Sequence, residues 1–241
     1  MNKYGLRPAP ALCFQIDPRW QVNEKVYIVA ALGNPGREYE RTRHNIGFLL
    51  ADQAASAAPQ GRWRAWKDLG QCFEIRQGSA RVFLLKPETY MNNSGLAVKS
   101  LADFYKVPSS GIIAVYDDIS IPFGIMKIRR GGSAGGHKGM LDIASAMGTE
   151  DIARIKIGIG PRPARMDAKD FVLGRFSKEE EVKLAPALER GCQALLTVIE
   201  KGLDEAMNRF NACSTPSDLP KSPLAELKPA AHARRDQKGG A

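Results

Sequence analysis

Among its 241 residues the chain has only three histidines (His44, His137, His232) and four cysteines (Cys13, Cys72, Cys192, Cys213). The cysteines stand far apart, with no Cys-x-x-Cys and no short Cys/His spacing, so neither a zinc site nor a disulfide framework is indicated and a reducing compartment is expected. No apolar run approaches the roughly 20 residues of a membrane helix, and the opening MNKYGLRPAPALCF is too short and too interrupted by proline for a secretory segment. No Arg-rich amphipathic presequence is evident either, which favours the cytoplasm and no membrane partner. Gly-x-Ser-x-Gly is absent, so a base that activates water is more economical than a covalent nucleophile. The glycine-rich GGSAGGHKG is not a Walker loop, because His137 separates Gly136 from Lys138, and no Gly-x-Gly-x-x-Gly occurs. Neither a cofactor nor a metal is expected.

What is present describes an ordinary soluble fold: 44% hydrophobic and 25% charged residues, enough to bury a real core. The excess of 35 Lys and Arg over 26 Asp and Glu gives +9, most of it carried by the body of the chain, and favours a polyanionic partner such as nucleic acid. Residues 1–24 lack periodicity and read as a poorly ordered extension, 25–212 as the folded domain, and 213–241 as a flexible basic tail.

Within the folded part, KVYIVAALG (25–33) reads as a buried strand, and Ile46, Leu49, Leu50, Ala54 and Ala57 follow helical spacing. QCFEIRQGSARVFLLKPE reads as a hairpin turning at Gly78 and Ser79, followed by a helix with apolar positions Ala97, Leu101, Phe104 and Tyr105. GIIAVYDD is a strand that stops at two carboxylates, IMKIRR a short basic strand, and IARIKIGIG another strand. The last helix opens with a capping box from Ser177 to Glu180 and meets a kink at Pro186. Strands alternating with helices predict an α/β fold, a single-domain three-layer sandwich with a mixed, largely parallel twisted sheet.

In such sheets ligands gather beyond the carboxyl ends of the strands. If these strands are parallel, Asn34, His44, Asn92 and Asp117 face one crevice. His44 lies at a helix start, where the dipole disfavours imidazolium, so a neutral ring could act as base with Asp117 accepting its other N–H. Asn34 and Asn92 could orient a carbonyl or donate to an oxyanion without adding charge. The competing reading is a histidine that caps a helix and asparagines that shape turns. Lys127, Arg129, Arg130, Lys138, Arg154, Lys156, Arg162 and Arg165 cluster in one stretch. Arg154 and Lys156 share a strand face, where they could track phosphates or form a solvated edge.

LGNPG, EYERTRHNIGF, KPETYMNNSG, YDDISIPFG, KIRRGGSAGGHKG and RIKIGIGP, in this order across about residues 25–210, resemble the bacterial peptidyl-tRNA hydrolase family. The resemblance implies a metal-independent hydrolase that cleaves the ester between a peptide and the 3′ ribose of tRNA, recycling tRNA from abandoned translation products. On this chain it implies His44 as general base, Asp117 as its supporting carboxylate, and Asn34 as the residue that helps to distinguish blocked from free aminoacyl groups. It further implies Tyr39, Tyr90, Met91 and Asn92 along the substrate crevice, and Arg129 and Lys156 on tRNA phosphates. One departure stands out: the family usually has Gly-His-Asn-Gly where this chain has Gly136-His137-Lys138-Gly139. Lysine cannot accept a hydrogen bond, but it could reach a phosphate near the 3′ end. An RNA-binding protein that has lost activity is the alternative, with Lys138 in its favour, and a generic nucleotide-binding α/β protein lacks any phosphate-loop motif. An open tRNA crevice suits a monomer.

Overall fold

The computed structural model describes residues 25–58 and 61–212, and the expectations for the two ends, 1–24 and 213–241, lie outside the described residues. Runs of β-branched and aliphatic residues form the sheet. Its strands are β1 (Lys25–Ala31), β2 (Arg64–Trp66), β3 (Gly70–Gln77), β4 (Ala80–Pro87), β5 (Ile112–Pro122), β6 (Met126–Arg129) and β7 (Ala153–Gly160). The order is β2-β3-β4-β1-β5-β7-β6. The four central strands β4, β1, β5 and β7 run parallel, and β3 with β2 on one side and β6 on the other close the sheet with antiparallel pairs. The sheet is therefore mixed and largely parallel, as the alternation of elements predicts.

The central strands are near-continuous apolar runs because helices cover both faces. On one face Val29, Ala31, Val115 and Ile157 pack under α1 (Ile46–Ser56), α5 (Lys178–Lys201) and α6 (Leu203–Asn211). On the other Ile28, Ala30, Leu85 and Ala114 pack under α2 (Ser94–Tyr105) and α3 (Lys138–Met147). A short helix, α4 (Ala168–Leu173), precedes α5.

Three local expectations change, at Asp117 and Asp118, at Phe104 and at Arg154. The strand through Asp117 and Asp118 does not stop there but continues to Pro122: both carboxylates keep regular register with Ile157 and Gly158 of β7, and the irregularity follows them, between Asp118 and Pro122. Helix α5 runs unbroken through Pro186, with the predicted capping box at Ser177 and Glu180 in place. Phe104 is 64% exposed rather than in the core, its ring edge-on to Trp66 on the short β2. Arg154 is only 1% exposed and tracks no phosphate: its guanidinium donates to the carbonyls of Ile152, Ser133 and Glu150, so it holds the loop before α3 against β7. A buried cation must be satisfied, and three backbone carbonyls do so here.

Close packing at the strand ends positions the site. α1 begins so near the sheet that a Cβ on Gly47 would lie 2.5 Å from the carbonyl oxygens of Leu32 and Val115 and 2.6 Å from the Leu32 nitrogen. Only glycine lets the start of α1 approach the ends of β1 and β5 this closely.

Candidate active site

The turn before α1, a single 3-10 turn Arg43–Asn45, carries three consecutive polar residues with three separate attachments. His44 Nδ1 lies 2.8 Å from Asp117 Oδ1. Asn45, buried, donates from Nδ2 to the Asn34 carbonyl at 2.9 Å and accepts the Asn34 N–H on Oδ1 at 2.8 Å. Arg43 reaches the opposite way, toward Glu180 at the start of α5.

Asn34 Oδ1 accepts the Met91 N–H at 2.9 Å. That bond occupies the oxygen end of the amide and leaves Nδ2, a two-proton donor, for whatever enters the cavity. It also joins the turn after β1 to the turn Met91–Asn93 that opens α2. Tyr90, just before it, sits at φ 59° and ψ 160°, a region nearly reserved for glycine, and is 55% exposed.

Asp117 Oδ1 has a second partner, the Nε2 of His137 at 3.2 Å. Burial by itself raises the Asp117 carboxyl, but the charge and hydrogen bonds of His44 and His137 outweigh it and hold the group well below the ordinary carboxylate range. An ionised carboxylate only accepts, so both facing ring nitrogens are donors. For His137 the other nitrogen, Nδ1, accepts the Met140 N–H at 3.3 Å and caps α3, the arrangement that the Nε2–H tautomer makes. For His44 the donor is Nδ1, and in a neutral ring bonded this way the lone pair is on Nε2.

These groups open into one cavity of about 610 Å³. Asn34, Tyr39, His44, Tyr90, Met91, Asn92, Asp117 and Lys138 all line it. Arg129 and Lys156 do not. Arg129 is exposed on the edge strand β6, whereas Lys156 is half-buried on β7 and donates to Asp118 Oδ2 at 3.1 Å. Burial raises Asp118, and bonds from Ser120 and then Lys156 more than offset it, so that carboxyl is also lowered. Asp167, Lys169, Val172 and Leu173 form a wall that sequence reasoning did not foresee. Its signal was weak: a six-residue helix has too few turns for a periodic pattern. His137, Asn45 and Arg43 were also missed, although His137 and Asn45 stand inside motifs already singled out.

His44, Asp117 and His137 are also a donor set that a divalent ion can use, their ligand atoms lying within 4.8 Å of one another. Ligands around tetrahedral zinc stand roughly 3.4 Å apart, and binding there would replace both imidazole–carboxylate hydrogen bonds. As the side chains stand, both imidazoles are hydrogen-bonded to the one carboxylate oxygen. Cys72 and Cys192 offer no nucleophile, since burial pushes both thiols up to about 12.

Comparison with known proteins gives a consistent outcome. The family model described as Peptidyl-tRNA hydrolase matches residues 28–218. A peptidyl-tRNA hydrolase of Elusimicrobium minutum is 43% identical over 186 residues, covering 77% of this chain and 99% of that protein. One from Lachnoclostridium phytofermentans is 46% identical over 190 residues, covering 77% and 97%. Among solved structures, a complex of peptidyl-tRNA hydrolase with N-propanol superposes with a TM-score of 0.73 at 29% identity, over 79% of this chain and 96% of that one. The Acinetobacter baumannii peptidyl-tRNA hydrolase superposes with a TM-score of 0.71 at 28% identity, over 80% and 99%.

Proposed function

From the premise that this chain belongs to the peptidyl-tRNA hydrolase family, we propose that His44 is the general base of its reaction and Asp117 the carboxylate behind it. The reaction is hydrolysis of the ester between a peptide and the 3′ ribose of tRNA, which frees both. The observation that carries the assignment is the 2.8 Å contact of His44 Nδ1 with Asp117, which leaves Nε2 as the basic nitrogen of a ring lining the cavity.

Water gives its proton to Nε2 as its oxygen attacks the ester carbonyl, and Asp117 stabilises the imidazolium that forms. The Asn34 side-chain amide, fixed by the Met91 N–H while Asn45 holds the Asn34 backbone, offers its Nδ2 protons to the carbonyl oxygen as charge develops, and Asn92, lining the same cavity, helps to orient that carbonyl. The imidazolium then protonates the departing ribose oxygen, and the enzyme returns to its starting state. Asn34 also serves selection of the blocked over the free aminoacyl group. Tyr39, Tyr90 and Met91 line the substrate path, and Lys138, exposed at the start of α3, meets a phosphate near the 3′ end. Arg129 and Lys156 meet phosphates farther along the tRNA. One chain supplies every group named, so the working form is a monomer, in the cytoplasm where peptidyl-tRNA arises. No helix among the described residues is long and apolar enough to cross a membrane.

The test is release of the blocked amino acid from N-acetyl-aminoacyl-tRNA by the wild type and by His44→Ala, with unblocked aminoacyl-tRNA and added chelator as controls. We expect chelator-resistant cleavage of the blocked substrate only, reduced by about 10²- to 10⁴-fold in the variant with tRNA affinity retained. Near-normal turnover by His44→Ala removes it from the base role. Tight, salt-sensitive tRNA binding without cleavage by the wild type would instead make this a non-catalytic RNA binder.

A further inference from the structure

Arg43 is the residue immediately before the base, yet it does not line the cavity. Its guanidinium forms a two-pronged pair with Glu180, Nε to Oε1 at 2.9 Å and Nη2 to Oε2 at 2.7 Å. The remaining nitrogen, Nη1, donates to the Phe171 carbonyl at 3.2 Å, and the guanidinium lies 4.5 Å from the centre of the Phe171 ring. The backbone joins in: Arg43 N–H donates to the Gly174 carbonyl at 3.1 Å, and Thr42 makes a β-bridge with Arg175. Both side chains of the pair are largely shielded, at 13% and 17% exposure. Such a pair holds its geometry far better than an exposed one.

The two ends of this clamp are functional surfaces. Behind Arg43 lies α4, whose Lys169, Val172 and Leu173 form the cavity wall while Phe171 is buried beneath the guanidinium. Ahead of it is His44, one peptide unit away in a turn of three residues. Turns of this kind are short and poorly bonded internally, so their position depends on outside anchors. Glu180 is itself anchored: its Oε2 also accepts the Ser177 N–H at 2.7 Å in the capping box of α5. Gly174 completes the fit, since a Cβ there would lie 2.8 Å from Arg43 Nη1.

We propose that Arg43, through Glu180 and Phe171, is a positioning residue that sets the spacing between the His44 base and the α4 wall against which the substrate is seated. This rests on the base role given to His44 above. Substrate and base are thereby presented by parts tied to each other, rather than by two independently mobile surfaces.

Arg43→Lys keeps the charge but loses the fork that holds Glu180 and the Phe171 carbonyl together. With N-acetyl-aminoacyl-tRNA, well below the melting temperature, kcat per folded molecule should fall roughly 10- to 100-fold. KM and the Kd for deacylated tRNA should stay within about twofold, and the pH midpoint of kcat should not move, because the His44–Asp117 pair is untouched. Glu180→Gln should lower kcat in the same way, and Arg43→Lys/Glu180→Gln should be no worse than the worse single variant, because both break one clamp. Gly174→Ala, which leaves every charge in place, gives an independent reading if Arg43→Lys does not fold, and should also lower kcat at constant tRNA affinity. Wild-type kcat in folded Arg43→Lys or Gly174→Ala, or losses confined to tRNA affinity, would overturn the proposal. His44→Ala measured alongside separates the two readings: if it is inactive while the Arg43 and Gly174 variants are normal, only the clamp fails, and if it is active the base assignment fails first.

Discussion

The turn Arg43–Asn45 and the basic edge formed by β6 and β7 both hold dense polar sequence, but they use it differently. In the turn each polar side chain has one defined job: Arg43 on Glu180, His44 on Asp117, Asn45 on Asn34. On the edge four neighbouring cations meet three different fates. Arg154 is buried on carbonyls, Lys156 is paired with Asp118, Arg130 is paired with Asp204 at 2.5 Å, and Arg129 stands exposed. Burial is what separates the regions. A shielded polar group must have a matching partner, whereas a surface cation can pair, shield or wait for a ligand at little cost.

The strongest way to sharpen this contrast is at the shared carboxylate. Asp117→Asn should lower kcat by roughly 10²- to 10³-fold, because an amide cannot stabilise the His44 imidazolium; single-turnover cleavage checks this. The same variant has a stability signature. Asp117 is held below its ordinary value of 3.8, so its pairing stabilises the fold in full above that pH and is lost as the pH falls below it toward the lowered value. Part of the acid-side slope of unfolding free energy against pH should therefore disappear in Asp117→Asn, as denaturant titrations across that range would show.

Arg154→Met should next break the edge region without touching RNA binding directly. Losing three hydrogen bonds from a buried guanidinium, one of them to the shielded Ile152 carbonyl, should cost about 3 kcal/mol and lower Tm by several degrees, measured by thermal unfolding. Arg129→Ala and Lys156→Ala should leave Tm nearly unchanged but weaken tRNA binding a few-fold, each reducing the slope of log K against log salt by about 0.7 to 0.9. Smallest, and opposite in sign, Asp118→Asn should release Lys156 and tighten tRNA binding slightly in filter-binding titrations at low salt. If Arg154→Met behaved like Arg129→Ala, the distinction drawn between buried and exposed cations would fail.

Much of the site was legible because polar residues set between apolar runs are unusual enough to read. His44, Asn34 and Asn92 each follow a strand end or open a helix, Asp117 lies in β5 just before its register with β7 breaks, and a parallel sheet gathers such positions on one side. The ordered motifs added the substrate class. His137 was harder, because its sequence context offers two roles at once. The helix-capping histidine considered for His44 describes His137, which caps α3 with one nitrogen and holds Asp117 with the other. The α4 wall, Arg43 and the inward turn of Arg154 left no pattern to detect, since each depends on contacts made more than one element away.

The sequence by itself determined the α/β class, the two apolar faces and the residues able to do the chemistry, because those follow from periodicity and side-chain type acting over a few neighbours. Only the tertiary structure decided which cations are buried and which exposed, which nitrogen of His44 faces Asp117, and what holds its turn against the cavity wall. Those depend on partners brought together from distant positions, as with Arg43 and Glu180, 137 residues apart in the chain, where burial leaves each group few alternatives.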